Sequence, residues 1–181
     1  MSEKIEIVPY DYDWRDRFRR LGAGLRSVLG SAAGRIDHIG STAVVGLAAK
    51  PIIDIQVSVS GFEPLDVYRV PIEHAGYVFR ADNTERTKRY FRESAGEWRT
   101  HIHVRRLGSW SEQFALLFRD YLRDNVAEAL RYADLKYSLA ARYQDDRQGY
   151  TEAKGQFIWE VMNRADKWSQ DVGWQPGSSD A

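Results

Sequence analysis

The segment PIIDIQVSVS, residues 51–60, constrains the fold more than any other part of this 181-residue chain. Proline stands at the first position, where a strand tolerates it, and β-branched residues dominate the rest. One face of the predicted strand is wholly apolar and therefore belongs in a core. The other face holds Ile52, Asp54, Gln56 and Ser58. A carboxylate in the middle of a strand is costly to bury alone, so we expect Asp54 to meet a metal ion, a cation or hydrogen-bond donors.

A glycine-serine pair, Gly40-Ser41, ends the predicted strand before it, and Lys50 stands at the start of the second strand. Glycine allows backbone N–H groups and a hydroxyl to approach a phosphate without an intervening side chain. An acid on the neighbouring strand can hold the divalent cation that neutralises this phosphate, because Mg²⁺ binds one or two carboxylates plus substrate oxygens. The predicted phosphate-binding residues are Gly40, Ser41, Thr42 and Lys50. Ser41 and Thr42 equally fit as caps of the turn that follows.

Composition narrows the class of protein. The length suits one domain with a sizeable core. Lys plus Arg and Asp plus Glu number 26 each, so charge gives no support for nucleic-acid binding. The absence of cysteine excludes disulfides, thiolate metal sites and a cysteine nucleophile. No apolar run reaches membrane-spanning length and the first residues carry no signal pattern, so we expect a soluble cytoplasmic protein with no membrane partner.

The order of predicted elements is α+β. Strands are predicted over residues 5–8, 35–39, 51–60, 77–80, 89–94 and 100–106, the last two as a hairpin through Gly96. Helices are predicted over residues 14–28 (capped by Asp13), 64–75, 111–123, 126–142 and 149–168. We expect a single domain over residues 1–172, with a sheet portion about 1–107 and a helical portion about 108–172. Residues 173–181, rich in Gly, Pro and Ser, are predicted to form a disordered tail.

The central motif also resembles a known superfamily. Its pattern, hydrophobic-Gly-Ser followed after about a dozen residues by Asp-hydrophobic-X-hydrophobic, resembles the nucleotidyltransferases that include DNA polymerase beta. More narrowly, the chain resembles the GrpB family, whose members are similar to a domain fused to dephospho-coenzyme A kinase in some bacteria. The matching stretches are residues 9–14, 38–55, 101–104, 118–123, 132–136 and 150–154. The resemblance implies a nucleotidyltransferase-like mixed sheet with flanking helices and a C-terminal helical region. Val45 departs from the proline usual in the family, and Asn125 from a common histidine.

One position departs from the pattern of active superfamily members. These usually carry a second acid two residues after the first, where this chain has Gln56. Two-metal phosphoryl transfer needs anionic ligands for both ions, and one carboxylate is too few to hold two divalent cations. His101 and His103 lie on one face of their strand and would reach Asp54 if that strand neighbours residues 51–60, as the superfamily arrangement implies. Two imidazoles and one carboxylate suit Mn²⁺, Fe²⁺ or Zn²⁺ better than Mg²⁺. We therefore predict a divalent metal, Mg, Mn or another transition metal, on Asp54, His101 and His103.

Two functions stay open from the sequence. The first is a metal-dependent enzyme with Asp54 in the catalytic role, which transfers a nucleotidyl or phosphoryl group from a nucleoside triphosphate to a small acceptor. In it Lys136 and Lys154, from stretches that match the family, also contact phosphates. The alternative, favoured by Gln56, is a catalytically degenerate module that binds a nucleotide or another small ligand. The sequence leaves the oligomeric state open.

Two further polar residues have structural interpretations. Arg119 or Asp120 fits an ion pair that ties the helical portion to the sheet. His38, alone on its strand, fits a packed residue better than a ligand.

Overall fold

A five-stranded mixed sheet organises the fold in this computed structural model, which describes residues 4–181. The strands are β1 Arg35–Ile39, β2 Ile53–Val59, β3 Tyr77–Phe79, β4 Arg89–Glu93 and β5 Thr100–Arg106. Their spatial order is β1-β2-β5-β4-β3. The β2–β5 pair is parallel, whereas the other neighbours are antiparallel. The predicted α+β class is confirmed, as is the antiparallel pairing of β4 with β5.

Helices cover both faces of this sheet. They are α1 Asp13–Leu29, α2 Asp66–His74, α3 Trp110–Asp124, α4 Val126–Arg142, α5 Arg147–Ala153 and α6 Gly155–Val172. Short 3₁₀ helices follow α1 at Gly30–Ala32 and β1 at Ser41–Ala43. No helix within residues 4–181 combines the length and the apolar character needed to cross a membrane.

The apolar face of β2 lies in the main core, as predicted. Ile53, Ile55 and Val57 are fully buried, and they belong to one cluster with Trp14 and Phe18 of α1. Tyr68 and Ile72 of α2 complete the cluster on the same side of the sheet. Burial of a large aliphatic side chain stabilises a fold by about 1.5–3 kcal/mol, so this face fixes the register of β2. The polar face of β2 is thereby directed toward the helical portion.

The helical portion packs against the opposite side. α3 contacts β1 and β5. A second apolar cluster joins Val44 and Leu47, from the loop between β1 and β2, to Leu122 of α3, Tyr132 of α4 and Val161 of α6. A cavity lies between these helices and the polar face of β2.

Three local predictions differ from the structure. Residues 5–8 form an isolated bridge between Val8 and Ala49 rather than a strand, because nearby Ile5 packs under α4 and α5 instead of extending a sheet. Asp13 is the first residue of α1 rather than its cap, and its N–H donates to the Asp11 side chain. The predicted helix 149–168 is two helices that meet at Lys154, where the glycine that follows lowers helix propensity.

The predicted disorder of residues 173–181 also differs from the structure. Residues 177–181 lie along the outer edge of β1, where the N–H groups of Asp180 and Ala181 both donate to the carbonyl of Ile36. The Ser179 hydroxyl accepts from the Ile36 N–H. An edge strand presents unpaired backbone groups. The backbone groups of β1 therefore give residues 177–181 hydrogen-bond partners that the composition of this segment does not reveal.

Candidate metal and phosphate site

Asp54 and two histidines meet on the polar face of the sheet. In the parallel pairing Asp54 stands opposite His101, and Gln56 stands opposite His103. Asp54 Oδ1 lies 3.1 Å from His101 Nδ1 and 3.2 Å from His103 Nε2. One ligand atom from each residue falls within 4.8 Å of the others. The structure thus brings together the three residues predicted as metal ligands.

The charge state of this cluster suits a cation. Burial favours the neutral form of Asp54, but hydrogen bonds from His101 and His103 outweigh it and hold the pKa of Asp54 well below its usual range. Burial also lowers the pKa of His103, an effect that Asp54 only partly offsets. Asp54 is therefore an anion and His103 favours the neutral imidazole, the forms that bind metals.

The outer ring nitrogens of the histidines support the same fit. His101 Nε2 and His103 Nδ1 are buried and make no hydrogen bond within residues 4–181. Neither ring is thus fixed in one tautomer by a second partner, so each proton can move to the outer nitrogen and free the inner nitrogen to bind a cation beside Asp54. Two imidazoles and a carboxylate form a donor set typical of Mn²⁺, Fe²⁺ or Zn²⁺.

Gly40 allows the loop after β1 to pass directly over Asp54. Its φ is +73°, and a Cβ atom there would lie 2.8 Å from Asp54 Oδ2. Any other residue would strain the backbone and push the carboxylate away. Further along this loop, Val44 and Leu47 pack in one apolar cluster with Tyr132, which ties the loop to α4.

The cluster forms one wall of a cavity of about 340 Å³. Its lining includes Ser41, Thr42, Lys50, Asp54, His101, His103, Lys136, Arg147, Tyr150, Thr151 and Lys154. Among the lining residues within 4–181, four are basic, from the β1–β2 loop, α4, α5 and the α5–α6 junction, and only Asp54 is acidic. Such an imbalance favours an anionic ligand.

The lysines of the cavity differ in their surroundings. Lys136 is 2% exposed, its ammonium donates to the Ala48 carbonyl, and burial followed by repulsion from Lys154 lowers its pKa to about 7. Lys50 Nζ lies 4.0 Å and Lys154 Nζ 4.5 Å from the centroid of the Tyr150 ring. Burial lowers the pKa of Lys154 as well, against the attraction of Asp54. The predicted phosphate-binding lysines are therefore gathered around one space.

Two predicted roles are modified by local contacts. The Thr42 hydroxyl donates to the Ile52 carbonyl at 3.0 Å, so its proton is already used inside the protein. Gln56 is fully buried, and its Nε2 donates to the Glu112 carbonyl of α3 at 3.3 Å. Gln56 therefore lies against α3 rather than in the cavity wall.

His38 and Arg119 have the structural roles predicted for them. The His38 ring stacks on Phe18 with centroids 4.6 Å apart, and its Nε2 lies 3.0 Å from the Thr42 hydroxyl. Arg119 Nη1 donates to the His38 carbonyl and its Nε to Asp120, so Arg119 ties α3 to β1.

Sequence reasoning missed Arg147 and Thr151. Both line the cavity from α5. Arg147, Thr151 and Lys154 are spaced i, i+4 and i+7, the signature of one helical face. The same helical spacing, read over residues 147–154 of the sequence, predicts that Arg147 and Thr151 share a face with Lys154.

Comparison with solved structures defines the fold class. The poly(U) polymerase Cid1 with Mg 3′-dATP bound superposes with a TM-score of 0.54 at 12% identity, over 75% of this chain and 44% of that chain. An RNA terminal U-transferase gives 0.52 at 13% identity, over 75% and 41% of the two chains. The fold is therefore nucleotidyltransferase-like.

The family follows from closer similarity. Residues 4–164 match the family described as GrpB protein, so the chain belongs to the GrpB family. The crystal structure of conserved protein GrpB from Enterococcus faecalis superposes with a TM-score of 0.83 at 32% identity, over 91% of this chain and 99% of that one.

Curated relatives extend this family. The chain is 37% identical over 169 residues to UPF0157 protein PA4798 of Pseudomonas aeruginosa, covering 91% of this chain and 69% of that protein. It is 34% identical over 195 residues to dephospho-CoA kinase of Mycobacterium bovis, covering 94% of this chain. The chain spans about half the length of that kinase, 48%, and of YqkA from Bacillus subtilis, 49%.

Proposed function

We propose that this protein is a metal-dependent nucleotidyltransferase-like enzyme that transfers a nucleotidyl or phosphoryl group from a nucleoside triphosphate to a small acceptor. The observation that carries the proposal is a single cavity in which a carboxylate-bis-imidazole cluster faces four basic side chains. A magnesium- or manganese-triphosphate combines a cation with an excess of negative charge, and both parts find complementary groups here. The nucleotidyltransferase-like fold supports the same reaction class.

In this proposal each residue has a defined task. Asp54, His101 and His103 hold a divalent cation, which when bound neutralises phosphate charge and orients the phosphate. Lys50, from the β1–β2 loop, and Lys154, from the α5–α6 junction, attract phosphate oxygens, and Gly40 keeps the loop close without a side chain. Because phosphoryl-type transfers need little covalent help from a protein, positioning and charge neutralisation supply the rate.

Arg147 and Lys136 complete the phosphate contacts. Arg147 offers a guanidinium, which binds phosphate oxygens in pairs. Lys136 offers a buried ammonium whose pKa lies near 7, so it is protonated most readily when an anion is beside it.

The second candidate, a binding module without catalysis, is favoured by the position of Gln56. Where a second carboxylate would complete a two-metal site, Gln56 lies against α3. A cluster with one carboxylate holds one cation more readily than two. A one-metal site retains metal-dependent nucleotide binding even where turnover is lost.

Nucleotide consumption separates the two functions. Metal-stripped protein is incubated with ATP or GTP and with Mg²⁺, Mn²⁺ or Zn²⁺ in turn, and the products are resolved by chromatography. The matched variants are Asp54→Asn and Asp134→Asn, an exposed acid of α4 outside the cavity. Metal-dependent consumption in wild type and Asp134→Asn that is lost in Asp54→Asn supports the enzyme. Binding without consumption in every case supports the binding module, and metal-independent consumption contradicts the assigned site.

A further inference from the structure

A second cavity, of about 490 Å³, lies on the other side of the loop that follows β1. It shares Thr42 with the first cavity but is formed by α1, α3 and this loop. Three arginines line it, Arg15 and Arg19 from α1 and Arg123 from α3. Its volume falls in the range of small-molecule sites.

A carboxylate of the protein itself occupies one end of this cavity. Asp180 Oδ2 accepts from Arg119 Nη1 at 2.8 Å and from the His38 backbone N–H at 3.0 Å. Arg119 is only 3% exposed. A buried guanidinium beside a backbone N–H is an arrangement by which proteins hold phosphate and carboxylate groups.

The segment that supplies this carboxylate is held mainly by hydrogen bonds at the edge of β1 rather than by strand pairing. Residues 177–181 follow the last helix and lie beyond residue 164, where the family match ends. They contact β1 through hydrogen bonds at its outer edge, and the side chain of Arg35 adds a bond to the Gly177 carbonyl. At the end of the segment Ala181 accepts a bond from Arg26 and packs against the main core. A segment held at an edge without regular pairing opens at lower cost than the sheet itself.

Asp180 is not the only acid near the arginines around this cavity. Arg119 keeps Asp120 at 2.7 Å from its Nε and Asp37 at 4.0 Å from its Nη1. Arg123 also contacts Asp120, at 3.4 Å, and Arg19 pairs with Asp16. Arg15 and the cavity-facing part of Arg123 therefore give this space a positive potential that Asp180 only partly neutralises.

We propose that this second cavity binds a small molecule carrying a phosphate or carboxylate group, and that the Asp180 carboxylate is displaced when that group binds to Arg119 and the His38 N–H. Asp54, His101 and His103 do not line this second cavity, so the proposal does not rest on the proposed transferase activity. Because the site and the tail compete for the same donors, ligand binding and release of residues 177–181 are coupled.

Nuclear magnetic resonance on the ¹⁵N-labelled full chain tests this coupling directly. Inorganic phosphate and, separately, acetate are titrated into wild type, and amide signals of His38, Asp180 and Ala181 are followed. We expect one of these anions to shift the His38 amide and to increase hydrogen exchange at Asp180 and Ala181. A response to phosphate alone or to acetate alone identifies the class of group bound. Absence of any response at these three amides overturns the proposal.

A charge-neutral variant gives the second test. Asp180→Asn removes the competing charge with little change in shape, and Asp66→Asn removes an exposed carboxylate of α2 as the matched control. We expect Asp180→Asn to bind the anion about tenfold tighter than wild type or Asp66→Asn, because one like charge a few ångströms away has been removed. Addition of Arg123→Ala should abolish the gain, and addition of Asp54→Asn should leave it intact. If Asp180→Asn only loosens the tail and gains no affinity, Asp180 is a structural ion pair and the proposal is wrong.

Discussion

At the scale of single residues, the candidate metal site depends on how closely the backbone approaches Asp54. The loop after β1 passes over the carboxylate at a glycine, and two histidines of β5 bind the same oxygen, Oδ1, from the side. The carboxylate thus stays ionised although it is partly buried. Small changes at Gly40 should therefore alter the cluster more than larger changes elsewhere in the loop.

The substitution Gly40→Ala tests this dependence. The added methyl group would lie 2.8 Å from Asp54 Oδ2, so we expect Mn²⁺ or Zn²⁺ to bind at least about tenfold more weakly. Gly46→Ala is the matched control, because Gly46 also has a positive φ, +80°, but has open space around it. Both variants should lose about 1–2 kcal/mol of stability from backbone strain. Equal metal affinities in the two variants, measured by calorimetry, would contradict the role of Gly40.

Lys136 gives the cavity a pH dependence. Its pKa is lowered to about 7 by burial, so the ammonium is present below this pH and is lost above it. The charge of the Lys136→Arg variant persists above this pH. As the pH rises through about 7, the affinity of wild type for ATP should therefore fall relative to that of Lys136→Arg, by about tenfold when the lysine charge is lost. Calorimetry across this pH range measures the ATP affinities of wild type and Lys136→Arg. Their ratio is the informative quantity, because the ionisation of ATP affects both affinities equally. A ratio that stays constant would show that Lys136 does not contact the phosphates.

At the scale of elements, the site depends on the parallel pairing of β2 with β5. Periodicity predicted β5 and α4 with their observed bounds, because both are long and regularly patterned. It also placed Asp54 and the two histidines on single faces. That β5 lies beside β2 was predicted only from the superfamily resemblance, since no local pattern in the chain specifies which strands pair.

The elements that were missed depend on tertiary contacts. Residues 5–8 carry apolar residues typical of a strand, yet they bridge only to Ala49 because α4 and α5 cover them. The edge of β1 gives residues 177–181 hydrogen-bond partners despite their composition. α5 is short and polar, so its contribution to the cavity becomes visible only when the helices are packed.

The contribution of α5 can be measured with Arg147→Ala. Loss of this guanidinium should weaken ATP binding about tenfold, the size expected for one charge-assisted contact, and should leave metal binding without nucleotide unchanged. Lys167→Ala, an exposed cation of α6 outside the cavity, serves as the control of equal charge change. Similar ATP affinities for both variants would remove α5 from the site.

At the scale of the whole molecule, buried polar groups join the sheet to the helical portion. His38, Arg119 and Thr42 connect β1 with α3 and with the chain before β2. Burial lowers the pKa of His38 from 6.5 to about 3. The folded protein therefore keeps His38 neutral at a pH where the unfolded chain protonates it.

This difference predicts acid sensitivity. Above pH 6.5 both states are neutral at His38, and the residue adds no pH dependence. As the pH falls from 6.5 toward 3, the unfolded state binds a proton that the folded state does not, so stability decreases by about 1.4 kcal/mol per pH unit. Urea unfolding of wild type and His38→Gln over this range should show a shallower decline in the variant. Parallel declines would contradict the buried neutral histidine.

We propose that one cavity binds a nucleoside triphosphate together with a metal held by Asp54 and the histidines. The most direct measurement is calorimetric titration of ATP and GTP, each with Mg²⁺ or Mn²⁺ and without metal, into wild type, Asp54→Ala, His103→Ala and the exposed control His74→Ala. We predict binding that requires the metal, persists in His74→Ala, and weakens at least about tenfold in the other two variants. Nucleotide binding that is equally strong without metal and in all variants would contradict the account.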